Sequence, residues 1–121
     1  MAIENITSGE IKAKVLRYPG PLVLDFYGES CPPCRTLEPR LERVAGRYEG
    51  RLPVYRLDAE RDLTLAESLG VTSLPTVLVF RDGEEVERLD GLIREDDLAD
   101  AFDRAAAPCL DLIVTARCSL R

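Results

Sequence analysis

Leu22-Val23-Leu24-Asp25-Phe26-Tyr27-Gly28-Glu29-Ser30-Cys31-Pro32-Pro33-Cys34 decides how this chain is read. Leu22–Tyr27 is apolar but for Asp25 and has the length of a strand, the mark of a parallel strand covered on both faces. Cys31 then opens a helix carrying Leu37, Leu41, Val44, Ala45 and Tyr48 on one stripe, with Gly50 just beyond its end. Two cysteines thus stand where a buried strand hands over to a helix. Residues i and i+3 share one side of a first helical turn, close enough to bridge. The helix start carries partial positive charge, which favours a thiolate, the attacking species in disulfide exchange.

Working outward, Ser8-Gly9-Glu10 predicts a helix start leading into Ile11, Val15 and Leu16, stopped by Tyr18-Pro19-Gly20-Pro21. Leu52–Asp58 reads as a second strand and Leu63–Leu69 as a short helix ending at Gly70. Thr76–Arg81 and Glu84–Leu89 flank Asp82-Gly83, a strong hairpin signal. Glu95–Ala106 is a last amphipathic helix with Leu98, Phe102, Ala105 and Ala106 inward. The fold class is α/β, a central mixed sheet with helices on both faces. Residues 1–107 form one domain, and 108–121 a C-terminal extension packed on it or trailing from it.

Composition narrows the function. At 121 residues, 45% hydrophobic and 31% charged, the chain is an ordinary globular domain with no room for a second of similar size. It has no tryptophan, so the core is expected to be mostly aliphatic. A net charge of −6 argues against a nucleic-acid binder. No apolar run approaches the roughly 20 residues of a membrane span. Met1-Ala2-Ile3-Glu4-Asn5 lacks the basic and apolar regions of a signal peptide, so a cytoplasmic location is expected. There static disulfides are uncommon, and the four cysteines read as catalytic, metal-binding or free thiols. Zinc wants about four ligands at characteristic spacing. The chain has no histidine and no second CxxC, so no metal site is expected and redox chemistry is the better reading.

Leu22–Tyr27, Cys31–Cys34, Leu74-Pro75-Thr76 and Asp82-Gly83 occur in the order and spacing of the thioredoxin family, and the resemblance covers roughly residues 5–107. It implies the thioredoxin fold and reduction of protein disulfides by dithiol–disulfide exchange, with Cys31 as nucleophile and Cys34 as resolving cysteine. It also implies no bound cofactor beyond the redox-active Cys31–Cys34 disulfide, a thioredoxin reductase as electron source, disulfide-containing protein substrates, and a monomer. Asp25 matches the family's buried acid that helps deprotonate Cys34. The alternative is a plain Asp25–Arg56 ion pair, Arg56 standing where the family usually has lysine. Pro75 resembles the family's cis-proline, whose turn presents the backbone of Leu74 to an extended substrate; the alternative is a trans proline at a strand start. Gly91 matches a glycine on the same rim. A binding or chaperone module with incidental cysteines, and an oxidase or isomerase outside the cytosol, are the rival classes.

The chain departs from the family in places. Pro32-Pro33 replaces the usual Gly-Pro and removes two N–H donors, so Cys31 is expected to receive less amide stabilisation than it would with glycine at position 32. Ser30 replaces a tryptophan and Tyr27 another, while Ala59 and Asp90 stand where apolar rim residues are common. A smaller, more acidic docking face suited to basic partners is expected. Beyond Pro108, Cys109 and Cys118 would lie on opposite faces of a single helix, about 13.5 Å apart along its axis. Two free thiols are expected there, with an auxiliary disulfide as the alternative.

Overall fold

The computed structural model describes residues 2–107. The strand expected at 22–27 runs Pro21–Tyr27 (β2) and lies at the centre of a five-stranded sheet. Its five middle residues are all buried, as strand positions covered on both faces must be. The other strands are β1 (Ile3–Ile6), β3 (Val54–Asp58), β4 (Thr76–Arg81) and β5 (Glu84–Asp90), in the spatial order β1-β3-β2-β4-β5. β3 runs parallel to β1 and β2, whereas β4 runs antiparallel to β2 and β5. The sheet is therefore mixed, as expected.

β1 is absent from the sequence reading. It has four residues, and only Ile3 and Ile6 are apolar, too short a pattern for periodicity to register. The single helix expected from Ser8 is instead a 3₁₀ turn, Ser8–Glu10, followed by a π-helical stretch, Lys12–Leu16. Of the three apolar residues whose spacing suggested a helix, Ile11, between the two segments, and Val15 are buried, whereas Leu16 is exposed. The turn is fixed by Glu10, whose carboxylate accepts the backbone N–H of Thr7 at 3.0 Å.

α1 (Pro32–Gly46) and α3 (Glu95–Ala106) cover one face of the sheet. Leu37, Leu41 and Val44 from α1 meet Leu98 and Phe102 from α3 over Val23, Val54, Val77 and Val79. The Lys12–Leu16 stretch and the short α2 (Leu63–Ser68) cover the other face, over Leu22, Leu24, Phe26, Leu57, Leu78 and Phe80. Alternation along β2 and β3 therefore turns Val23, Asp25, Val54 and Arg56 toward α1. The hairpin at Asp82-Gly83 has both residues at positive φ, 54° and 84°, the type I′ geometry that suits paired strands. Gly83 is needed twice over, because a Cβ there would stand 2.3 Å from the carbonyl oxygen of Leu16. The extension from Pro108, with Cys109 and Cys118, lies outside the described residues.

Candidate active site

β2 ends at Tyr27, and Gly28-Glu29-Ser30 leads into α1, whose N-cap is Cys31. Pro32 and Pro33 fill the first two helical positions, where fixed φ suits the helix and the missing N–H groups would have had no intrahelical partner. Cys31 and Cys34 are joined by a disulfide with a Cα–Cα distance of 5.3 Å. The two sulfurs differ in surroundings. Cys31 is partly exposed, whereas Cys34 is 4% exposed, and only the first is open to a partner. The N–H of Cys34 donates to Cys31 Sγ at 3.2 Å.

Asp25 and Arg56 are paired neighbours on parallel strands, both facing α1. Arg56 Nε lies 3.3 Å from Asp25 Oδ2, and Nη1 lies 2.7 Å from Oε2 of Glu38 on α1. The guanidinium sits 3.9 Å from the centroid of the Tyr27 ring. Asp25 is 2% exposed, and its Oδ1 meets no hydrogen-bond partner among the described residues. Burial pushes its carboxyl up to about 6; Arg56 opposes the rise and Glu38 adds to it. A cavity of about 240 Å³ opens beside Arg56 and Glu38, lined also by Cys34 and Tyr27 among others.

Another groove, of about 350 Å³, is lined by Pro32, Pro33, Leu37, Pro75, Leu92 and Ile93 among others. The Leu74–Pro75 bond is cis and Pro75 is buried, while Leu74 packs against the core on the α2 side of the sheet. Gly91 follows β5 at φ 72°, a left-handed position that glycine takes without steric cost. Ser30 is exposed; its hydroxyl and its N–H both donate to Glu60, holding that carboxyl below its usual range.

Residues 2–104 match the family model described as Thioredoxin. The chain belongs to the thioredoxin family. It is 34% identical to the thioredoxin of Staphylococcus epidermidis over 104 residues, spanning 86% of this chain and 98% of the relative. The same figures hold for the thioredoxin of Staphylococcus aureus. Among solved structures, a mutant thioredoxin from Halobacterium salinarum NRC-1 superposes with a TM-score of 0.78 at 30% identity, covering 88% of this chain and 92% of that one. The fold is thus the thioredoxin fold. The chain is a protein-disulfide oxidoreductase acting by dithiol–disulfide exchange through Cys31 and Cys34. Thioredoxins carry the electron pair on two sulfurs and need no cofactor; among the described residues no cluster of His, Cys, Asp and Glu is arranged to hold a metal ion.

Three expectations about this thioredoxin-type site change. Ala59 is not a rim residue: it is 3% exposed and packs with Leu57 and Ala66, so it cannot shape the docking face. That face is also less polar than expected, because Leu92, 76% exposed, supplies an apolar rim that the sequence reading passed over. A leucine two residues past a strand has no periodic signal; only the neighbouring Gly91 could have pointed to it. The lost amide also sits elsewhere. An N-cap side chain accepts from the second or third helical N–H, here positions 33 and 34. Cys34 supplies its donor, so the missing one belongs to Pro33 rather than Pro32.

Proposed function

We propose that reduction of a protein disulfide by this chain runs as follows. The Cys31 thiolate attacks one sulfur of the substrate, forming a mixed disulfide and releasing the other sulfur as a thiolate. Cys34 gives up its proton, attacks the Cys31 sulfur, closes the Cys31–Cys34 disulfide and releases the second substrate thiolate. Two electrons pass from the dithiol to the substrate. Asp25 accepts the Cys34 proton, a role favoured by its burial on the face toward α1 and a carboxyl pushed up to about 6. Arg56 holds Asp25 in place and offsets part of the cost of its buried charge.

The cis turn at Pro75, the Leu74 backbone and Gly91 form the edge against which an extended substrate segment lies, with Ser30 at the opposite rim. Pro32 and Pro33 stiffen the corner between the sulfurs. A thioredoxin reductase returns the electron pair, and the chain works as a monomer in the cytoplasm, with residues 1–107 as the catalytic domain and 108–121 as an appended segment. The names of the curated relatives support the reductase, and no helix among the described residues is long and apolar enough to cross a membrane.

The observation that carries this reading is the pairing of a partly exposed and a buried cysteine across one helical turn. It is tested by trapping. Reduced Cys34→Ser protein mixed with insulin is expected to accumulate a covalent adduct that peptide mapping places on Cys31. An adduct on Cys109 or Cys118, or none, contradicts it.

A further inference from the structure

Glu38 stands one helical turn after Cys34, on the same side of α1, and none of the roles above uses it. It is half-buried and reaches Arg56 at 2.7 Å, closer than the 3.3 Å between Arg56 and Asp25. Two carboxylates thus share one guanidinium. Arg56 can serve both because its planar fork presents separate N–H groups in different directions, which a lysine ammonium on one stem does not. The guanidinium is also restrained: its side chain is 14% exposed and stacks on Tyr27. This is not a pair of long chains free in solvent, where an ion pair contributes little. The stronger contact goes outward to Glu38, and the inner acid keeps the longer contact on one oxygen and no partner on the other.

We propose that Glu38 is a positioning residue: by holding the outer N–H group of Arg56 it leaves the guanidinium only partly engaged with Asp25, and so sets the pH at which that buried acid gains and loses its proton. The charged group paired with that acid is Arg56 on β3, with Glu38 from α1 on the far side of the guanidinium; Cys34, Tyr27, Glu29 and Arg35 line the cavity that Arg56 and Glu38 share, and Asp58 follows two residues after Arg56 on the same face of β3. β4 contributes none, since Val77 is the paired residue. Arg56 is the cation placed between the two carboxylates, so how its charge is divided decides the outcome. Asp58 is occupied elsewhere, accepting the N–H groups of Glu60 and Arg61.

The test reads Asp25 directly. Its side-chain carbonyl is followed by carbon-13 NMR across pH in the reduced protein and assigned with Asp25→Asn. Glu38→Gln and Glu38→Ala are each expected to move the Asp25 midpoint down by about one pH unit, as a nearby cation engages it fully. An unmoved or raised midpoint in both overturns the proposal. Repeating Glu38→Gln in an Arg56→Met background is expected to give less than half that movement; an equal movement shows bare charge acting without Arg56 and also overturns it. The inference rests on Asp25 serving Cys34 only for its consequence in turnover. If the midpoint moves while the pH profile of mixed-disulfide release stays put, Glu38 does govern Asp25, and it is the role of Asp25 in release that fails.

Discussion

Two hollows flank the start of α1, and they have opposite chemistry. One is lined by Cys34, Glu38, Arg56 and Tyr27, and its Arg56 reaches the buried Asp25. The other is lined by Pro33, Leu37, Pro75, Leu92 and Ile93. The charged hollow can move a proton but offers less apolar surface; the apolar one can dock a chain and, apart from Arg40, is lined by no charged side chain. The helix between them exposes Cys31 and buries Cys34, so attack and release fall to different environments. Recognition and proton transfer can therefore be perturbed separately.

The largest expected effect removes the bridge that both hollows serve. Cys31→Ser should lose insulin reduction entirely, down to the uncatalysed rate, with the fold intact by circular dichroism. Retained turnover would mean that another sulfur does the work.

The charged side should break next. Asp25→Asn is expected to slow release of the mixed disulfide about 10²-fold, with KM unchanged, as seen by stopped-flow. Stability offers a second reading of the same group. The folded carboxyl ionises near 6 instead of its ordinary 3.8, so between those values the folded state keeps a proton that the unfolded state has released. Stability is therefore fully present below about pH 4 and falls as pH rises to about 6, by on the order of 3 kcal/mol, then levels off. Urea denaturation across that range should show the fall in the parent and lose it in Asp25→Asn. Equal slopes in both proteins would remove Asp25 as the cause.

The apolar side gives a smaller effect. Leu92→Ser should raise KM for a protein disulfide roughly tenfold and leave kcat and the Asp25 midpoint alone, since only docking area is lost. A fall in kcat instead would mean that the two hollows are coupled. The smallest effect lies at the corner itself. Pro33→Ala restores an N–H that can reach Cys31 Sγ, and thiol titration should place the Cys31 pKa several tenths of a unit lower, with a lesser change in Pro32→Gly. The reverse order would return the lost amide to position 32.

The sequence was informative where burial or covalent chemistry constrains residue choice. β2 needs an apolar run, the hairpin needs Asp82-Gly83, and a strand-to-helix CxxC is hard to read otherwise. Those features brought out the sheet, the redox pair and the exchange chemistry. It was silent where contacts come from afar. Glu38 looks like any surface acid on an amphipathic helix until Arg56 arrives from β3. Leu92 looks like a loop leucine until Pro75 and Pro33 stand beside it. Ala59 stands where the family's pattern suggests a rim residue, and its burial against Leu57 and Ala66 emerges only in the fold. Separating Pro32 from Pro33 required the cap geometry, which spacing alone does not give.

One measurement bears on the central claim most directly. Fully reduced protein is mixed with excess oxidised insulin, and both partners are analysed by intact mass and peptide mapping. The expected result is loss of two hydrogens from the chain, all of it as a Cys31–Cys34 bridge, matched by newly titratable thiols on insulin. Intact insulin disulfides, or a bridge that forms between other cysteines, would contradict it.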